Sequence, residues 1–314
     1  MKIERQALKV RGASDVEVLR IVGTAGGPTL AVLGGVHGDE PEGVVAAWAL
    51  LAKLTRRELS GTLIVVPVAS PDAFAAGTRH SPIDGGNLAR SFPGNLAGSP
   101  TEQLAAQLTE AVIAPSDLLV DLHAAGRDYR MPFFVGAVDD GSPVGHRSAA
   151  AARAFPAPLV WLHDAMNPGR SLSAALEHGI PSIYVESGGG GALSEADVDA
   201  YANGVLALMA HLGMTPGGDV TPGTERAELR GGTGDTDAAL TAPTDGLLVP
   251  CVRAGDAVSR GGVIARMWAP GSEEPRLVES PHDGTVMMIR WRSQISTGEL
   301  VAMFGPEKIF VRPQ

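Results

Sequence analysis

Apolar residues along this chain gather into short runs separated by longer stretches of helical period. Leu30-Ala31-Val32-Leu33, Leu63-Ile64-Val65-Val66-Pro67-Val68, Leu118-Leu119-Val120 and Leu159-Val160-Trp161-Leu162 are too short for helices. Apolar residues at successive positions mark strands buried on both faces. Ile180 to Glu186 reads as another strand, and residues 3–33 alternate apolar runs with Gly, Asp and Ser, predicting two or three more. Helical segments fall between them. They cover 41–56, a stretch opening at Pro100-Thr101-Glu102, an alanine-rich stretch at 145–155 and Ser171 to His178, closed by Gly179. A last helix is capped by Ser194 and runs to about Leu212. Strands alternating with helices predict an α/β fold with a mostly parallel, mixed sheet covered by helices on both faces.

Two stretches break the alternation. Residues 71–98 are rich in Gly, Pro, Asp and Asn and far longer than an ordinary connection, which points to a functional loop. At Thr215-Pro216-Gly217-Gly218 the composition changes, and Gly, Thr and Asp dominate as far as Asp237, as in a linker. Beyond it no helical period appears. Pro243-Thr244-Asp245-Gly246-Leu247-Leu248 recurs as Pro281-His282-Asp283-Gly284-Thr285-Val286, and Val258 with Gly261 is echoed by Ile295 with Gly298. Short strands joined by Asp-Gly and Gly-Asp turns predict a small all-β domain. The expected division is an α/β domain over 1–214, then a linker and an all-β domain over 215–314.

Composition narrows the partners. The 314 residues are 44% hydrophobic and 19% charged, ample for a buried core. A net charge of −10 argues against a general nucleic-acid or anionic-membrane partner, because phosphate binding needs a basic face. The single cysteine, Cys251, can form no internal disulfide and excludes a cysteine-built zinc site, which fits a reducing compartment. No stretch approaches the roughly 20 apolar residues of a membrane helix, and the first residues lack the apolar core of a signal peptide. The expected location is the cytoplasm.

Candidate chemistry sits at strand ends. Gly34-Gly35-Val36-His37-Gly38-Asp39-Glu40-Pro41-Glu42-Gly43 joins a strand to a helix, where open α/β sheets place their ligands. An imidazole and a carboxylate three positions apart can reach one divalent metal from such a turn. Zinc takes nitrogen and oxygen ligands, and a catalytic zinc takes three with one position open. Two further strands end in polar groups, at His123 and at Glu186. Asp121 shares a strand face with His123 and can receive a ring N–H from a ligand histidine. One histidine at a strand end is more often structural; four such groups at strand ends point to a site.

His37-Gly38-Asp39-Glu40, Asp121-Leu122-His123 and Glu186-Ser187-Gly188-Gly189 together resemble the pattern of the succinylglutamate desuccinylase/aspartoacylase family, within the zinc carboxypeptidase superfamily. The likeness runs from about residue 28 to 212 and implies a carboxypeptidase-like fold. It also implies one zinc ion per chain on His37, Glu40 and His123, with Glu186 as general base. Gly77-Thr78-Arg79 and Asp84-Gly85-Gly86-Asn87-Leu88-Ala89-Arg90-Ser91-Phe92-Pro93-Gly94 are similar to the family's substrate-binding loop. By that likeness Arg79 polarises the scissile carbonyl and Arg90 grips a substrate carboxylate. The family's asparagine directly before the second arginine is Ala89 here; either Asn87 takes that role from a shifted position or the clamp has lost a partner. Arg170, before the Glu186 strand, is a further candidate for lining the pocket, and Arg127 and Tyr129 are weaker ones. His80, His163, His178 and His211 have no partners at ligand spacing and are expected at the surface or at helix ends.

The C-terminal repeat resembles a biotinyl/lipoyl hammerhead. Its central hairpin, Met267 to Pro275, has no lysine, and none lies between Lys53 and Lys308, so it is no swinging-arm carrier. It is expected to pack on the catalytic part, shape substrate entry or form a subunit interface. The implied reaction is zinc-dependent hydrolysis of the amide of a small N-acylated amino acid or related amide. Peptide carboxypeptidase activity and non-catalytic ligand binding are the alternatives, and a homo-oligomer is open.

Overall fold

The computed structural model describes residues 1–54, 58–216, 226–234 and 239–311. The first part contains β1 (Lys2–Leu8), β2 (Val16–Val22), β3 (Ala25–Gly34), α1 (Pro41–Leu54), β4 (Ser60–Val66), α2 (Pro71–Ala76), α3 (Pro100–Leu108) and β5 (Leu118–Leu122). It continues through β6 (Tyr129–Arg130), β7 (Phe134–Val138), α4 (Pro143–Ala154), β8 (Leu159–His163), α5 (Ser171–Glu177), β9 (Ser182–Glu186) and α6 (Glu195–His211). Then follow β10 (Arg226–Arg230), β11 (Leu240–Thr241), β12 (Gly246–Pro250), β13 (Ala257–Val258), β14 (Val263–Trp268) and β15 (Arg276–Glu279). The last elements are β16 (Gly284–Arg290), β17 (Gln294–Ile295), β18 (Leu300–Gly305) and β19 (Ile309–Val311).

Ten strands form one sheet in the order β1-β2-β4-β3-β5-β9-β7-β8-β10-β19. Its centre is parallel from β4 through β3 and β5 to β9, so the carboxyl ends of β3, β5 and β9 lie side by side. The sheet is mixed: β7 runs antiparallel to β9, and the pairs β1–β2, β2–β4 and β10–β19 are antiparallel too. Side chains alternate between faces. Leu30, Val32, Val120 and Ile183 pack under α1, α4 and α6, whereas Ala31, Leu33, Ile64 and Leu119 pack against α3 and α5. That two-sided burial is why the central strands read as unbroken apolar runs. Among the described residues no helix is long and apolar enough to cross a membrane.

Two smaller sheets follow. One has the order β11-β18-β16-β13 and the other β15-β14-β12-β17. They enclose a core that includes Leu248, Ile264, Met267, Val286 and Val301. The sequence repeat appears as crossed pairing, with Val258 opposite Gly284 and Ile295 opposite Gly246. This part is stitched to the first. β10 and β19 extend the large sheet, and β6 pairs with β16 through Ile289–Arg130 and Arg290–Tyr129.

Three features differ from the sequence expectation. The 71–98 loop contains α2 and a 3₁₀ turn at Leu88–Arg90. β7 was not anticipated, since glycine interrupts its apolar run. β10 lies beyond residue 214 yet belongs to the large sheet, because its buried Leu229 packs with Trp161 and Phe134. Residues 55–57 of the expected first helix, and most of the expected linker, lie outside the described residues.

Candidate active site

The turn after β3 is shaped by close backbone approach. Gly35 has φ +61°, and a Cβ on Gly38 would lie 2.0 Å from the Ala73 carbonyl. Only glycine allows these conformations and contacts. The turn therefore presses His37 and Glu40 into the interior, where each is 2% exposed.

Glu40 is the hub. Its Oε1 lies 2.8 Å from His37 Nδ1 and accepts from Arg79 at 3.0 Å. Its Oε2 lies 3.0 Å from His123 Nδ1 and accepts from the Ala124 backbone N–H at 3.0 Å. The ligand-type atoms of His37, Glu40 and His123 lie within 4.8 Å of one another. Two imidazole nitrogens and one carboxylate oxygen converging this closely fit a divalent metal of the zinc type. Their outer partners hold the orientation: His123 Nε2 is 3.1 Å from Asp121 Oδ2, which also accepts from Ser171 Oγ. His37 Nε2 is 3.2 Å from Asn87 Oδ1. A metal-binding histidine is commonly held this way through its second nitrogen.

Burial pushes the His37 imidazole down to about 4. Burial alone would raise Glu40, but the two imidazoles outweigh it and hold the carboxyl well below its ordinary value. Burial also pulls His123 down, and Asp121 with Glu40 more than reverses that, raising it well above its ordinary value. Glu186 closes β9 beside this cluster. Burial pushes its carboxyl up to about 8, with His123 opposing and Glu40 adding to the rise. Among the described residues its Oε2 has no hydrogen-bond partner.

These groups open into a cavity of about 620 Å³ that also carries Arg79, Arg90 and Arg170. Of the residues singled out in the sequence, His37, Glu40, His123, Glu186, Arg79, Arg90, Arg170, Arg127 and Tyr129 all line it. Asn87 does not. Its carbonyl oxygen accepts from the Ala89 N–H at 3.0 Å, capping the 3₁₀ turn, and faces His37. It is thus placed behind a histidine rather than on the cavity wall. His80 lines the cavity instead of standing apart from it. His163 is fully buried in β8, against the expectation of a surface position, because its ring packs on Trp161 and Tyr184. His178 and His211 stand at helix ends as expected.

Sequence reasoning missed Tyr184 and the far wall. Tyr184 precedes Glu186 by two residues on one strand, and period-two alternation places both on the same face. The far wall comes from the C-terminal part through Met288, Glu299, Leu300 and Met303. No local pattern could announce it, since it exists only once β16 and β18 dock.

Comparison with known proteins agrees with this geometry. The family model for the succinylglutamate desuccinylase/aspartoacylase catalytic domain matches residues 26–212. N-alpha-acetyl-L-2,4-diaminobutyric acid deacetylase of Halomonas elongata is 32% identical over 283 residues, covering 89% of this chain and 82% of the relative. The product-bound ectoine utilization protein EutE (DoeB) from Ruegeria pomeroyi superposes with a TM-score of 0.87 at 29% identity, over 97% of this chain and 95% of the other. A succinylglutamate desuccinylase/aspartoacylase from Rhodobacter sphaeroides gives 0.84 at 28% identity, over 96% and 95%. The chain belongs to the succinylglutamate desuccinylase/aspartoacylase family.

Proposed function

We propose that this protein is a zinc-dependent cytoplasmic amidohydrolase that deacylates a small N-acylated amino acid, releasing a carboxylate and a free amine. The observation that carries this reading is the convergence of His37, Glu40 and His123 beside Glu186 in one walled cavity. His37, Glu40 and His123 would hold the metal, which supplies Lewis-acid charge and activation of water when bound. Glu186 takes the proton from the attacking water and passes it to the leaving amine. A carboxyl pushed up toward neutrality by burial is suited to both transfers. Arg79 balances negative charge developing on the carbonyl oxygen. Arg90 and Arg170 bind the substrate carboxylate, for which a planar guanidinium is well matched.

Cavity size supports a small substrate over a peptide. About 620 Å³ lies in the range of small-molecule sites. Met288, Leu300 and Met303 of the C-terminal part wall one side of the cavity. We read residues 240–305 as a hammerhead-like unit whose role is that wall, on the support of the crossed pairing of its repeat. N-alpha-acetyl-L-2,4-diaminobutyrate, the substrate named for the Halomonas relative, is the first to test. Release of free amine from it or from other N-acyl amino acids is expected. Release of C-terminal residues from peptides, with no N-acyl amino acid cleaved, would overturn the proposal.

A further inference from the structure

Tyr184 lines the cavity but has no part in the chemistry described above. It faces Gly136 across the β9–β7 pair, and a Cβ at Gly136 would lie 1.9 Å from its ring. The phenol therefore lies flat over the β7 backbone and leans toward β8, away from β5 and His123. Its Oη lies 2.8 Å from His163 Nε2, with the two rings stacked at 14°. Phe134 meets it edge-on, and Phe134, Met288 and Met303 belong to the apolar cluster on which it packs.

His163 decides which way that hydrogen bond runs. Its ring is fully buried, and among the described residues its Nδ1 has no partner. Burial pushes it down to about 3, so the imidazole is neutral and carries one proton. A proton on Nδ1 would be a buried donor with no acceptor, a rarer defect than an unfilled lone pair. The proton therefore sits on Nε2 and is donated to Tyr184 Oη. Tyr184, already accepting, has its own O–H left to donate. Among the described residues no other group receives it, and the cavity lies in front.

We infer that Tyr184 donates this hydrogen bond to the carboxylate of the substrate, with His163 as the positioning residue that fixes the donor's direction. The identity of the substrate rests on the amidohydrolase reading. Arg170 enters the same cavity from the connection that leaves β8, so a guanidinium and a neutral donor serve one anionic group from that side. The 3₁₀ turn supplies no amide donor there: Ala89 presents only a methyl group, and Asn87 does not line the cavity. The site thus selects acyl amino acids over acylated amines that lack the acid.

Two measurements on the full-length, zinc-loaded protein test this. The first is the ¹⁵N spectrum of His163, assigned against His163→Gln. It is expected to show a neutral ring protonated at Nε2, and a proton on Nδ1 would overturn the inference. The second compares Tyr184→Phe with wild type on N-alpha-acetyl-L-2,4-diaminobutyrate and on its decarboxylated counterpart, N-acetyl-1,3-diaminopropane. In the variant, the preference in kcat/KM for the acid should fall by about tenfold to a hundredfold, the worth of one hydrogen bond to a charged group. The loss should reside in KM, with kcat within about threefold, because the bond is made equally before and during reaction. An unchanged preference in a variant that melts like wild type would overturn the inference. Failure of wild type to cleave either compound counts against the amidohydrolase reading, and the ¹⁵N result then decides the hydrogen bond alone.

Discussion

Replacing Glu228 by Gln tests how the C-terminal part is anchored to the catalytic sheet. Glu228 lies on β10, 1% exposed, and its carboxylate accepts from Arg153 Nε at 2.8 Å and from Arg230 at 2.9 Å. A second Arg153 nitrogen reaches the other oxygen at 3.3 Å. Burial pushes this carboxyl up, but the Arg153 hydrogen bonds and the charges of Arg153 and Arg230 outweigh that and hold it below the ordinary range. Glutamine preserves the shape while removing the charge and turning a donor toward a guanidinium. A charge-assisted hydrogen bond contributes about 1.5–3 kcal/mol. Both arginines are more than a third exposed, so solvent screening brings the expected loss to about 2 kcal/mol at pH 7. A group held low in the folded state stabilises fully above its unfolded pKa, about 4.3, and that contribution disappears as pH falls through the folded value. The gap between wild type and Glu228→Gln in urea unfolding should therefore be largest near neutrality and close below about pH 4. Equal stability at pH 7, or a gap that widens on acidification, would refute the reasoning.

Three further outcomes follow from the same geometry. Asp121→Asn removes the carboxylate behind His123 and should weaken zinc binding by about tenfold to a hundredfold, read by chelator competition. Leu300→Trp fills the wall built by β18 and should raise KM more for a succinyl than for an acetyl substrate; equal effects would separate the C-terminal part from substrate selection. Gly136→Ala sets a methyl group against the Tyr184 ring and should cost about 1–3 kcal/mol of stability by overpacking, measured as an unfolding midpoint.

The candidate site was legible as a cluster because its signals are local. His37 and Glu40 share one glycine turn, Asp121 and His123 share one strand, and Glu186 ends another; continuous apolar runs located all three strands. What sequence could not announce depends on contacts between distant segments. Asn87 was misplaced because its spacing to Arg90 says nothing of the His37 ring opposite it. His163 was misread because burial between Trp161 and Tyr184 arises only once β8 and β9 stand on either side of β7. The cavity wall of Met288, Leu300 and Met303 comes from a repeat whose composition reveals strands but not where they dock.

The measurement that tests the central claim most directly is turnover and metal content of Glu186→Gln beside wild type. Each protein is loaded with zinc, analysed for bound metal and assayed for amine release from N-alpha-acetyl-L-2,4-diaminobutyrate and related N-acyl amino acids. If Glu186 moves the proton and His37, Glu40 and His123 hold the metal, the variant keeps one zinc per chain. Its kcat then falls by about a hundredfold to ten-thousandfold. A variant that retains full turnover, or a wild-type protein that binds no zinc, would contradict the account.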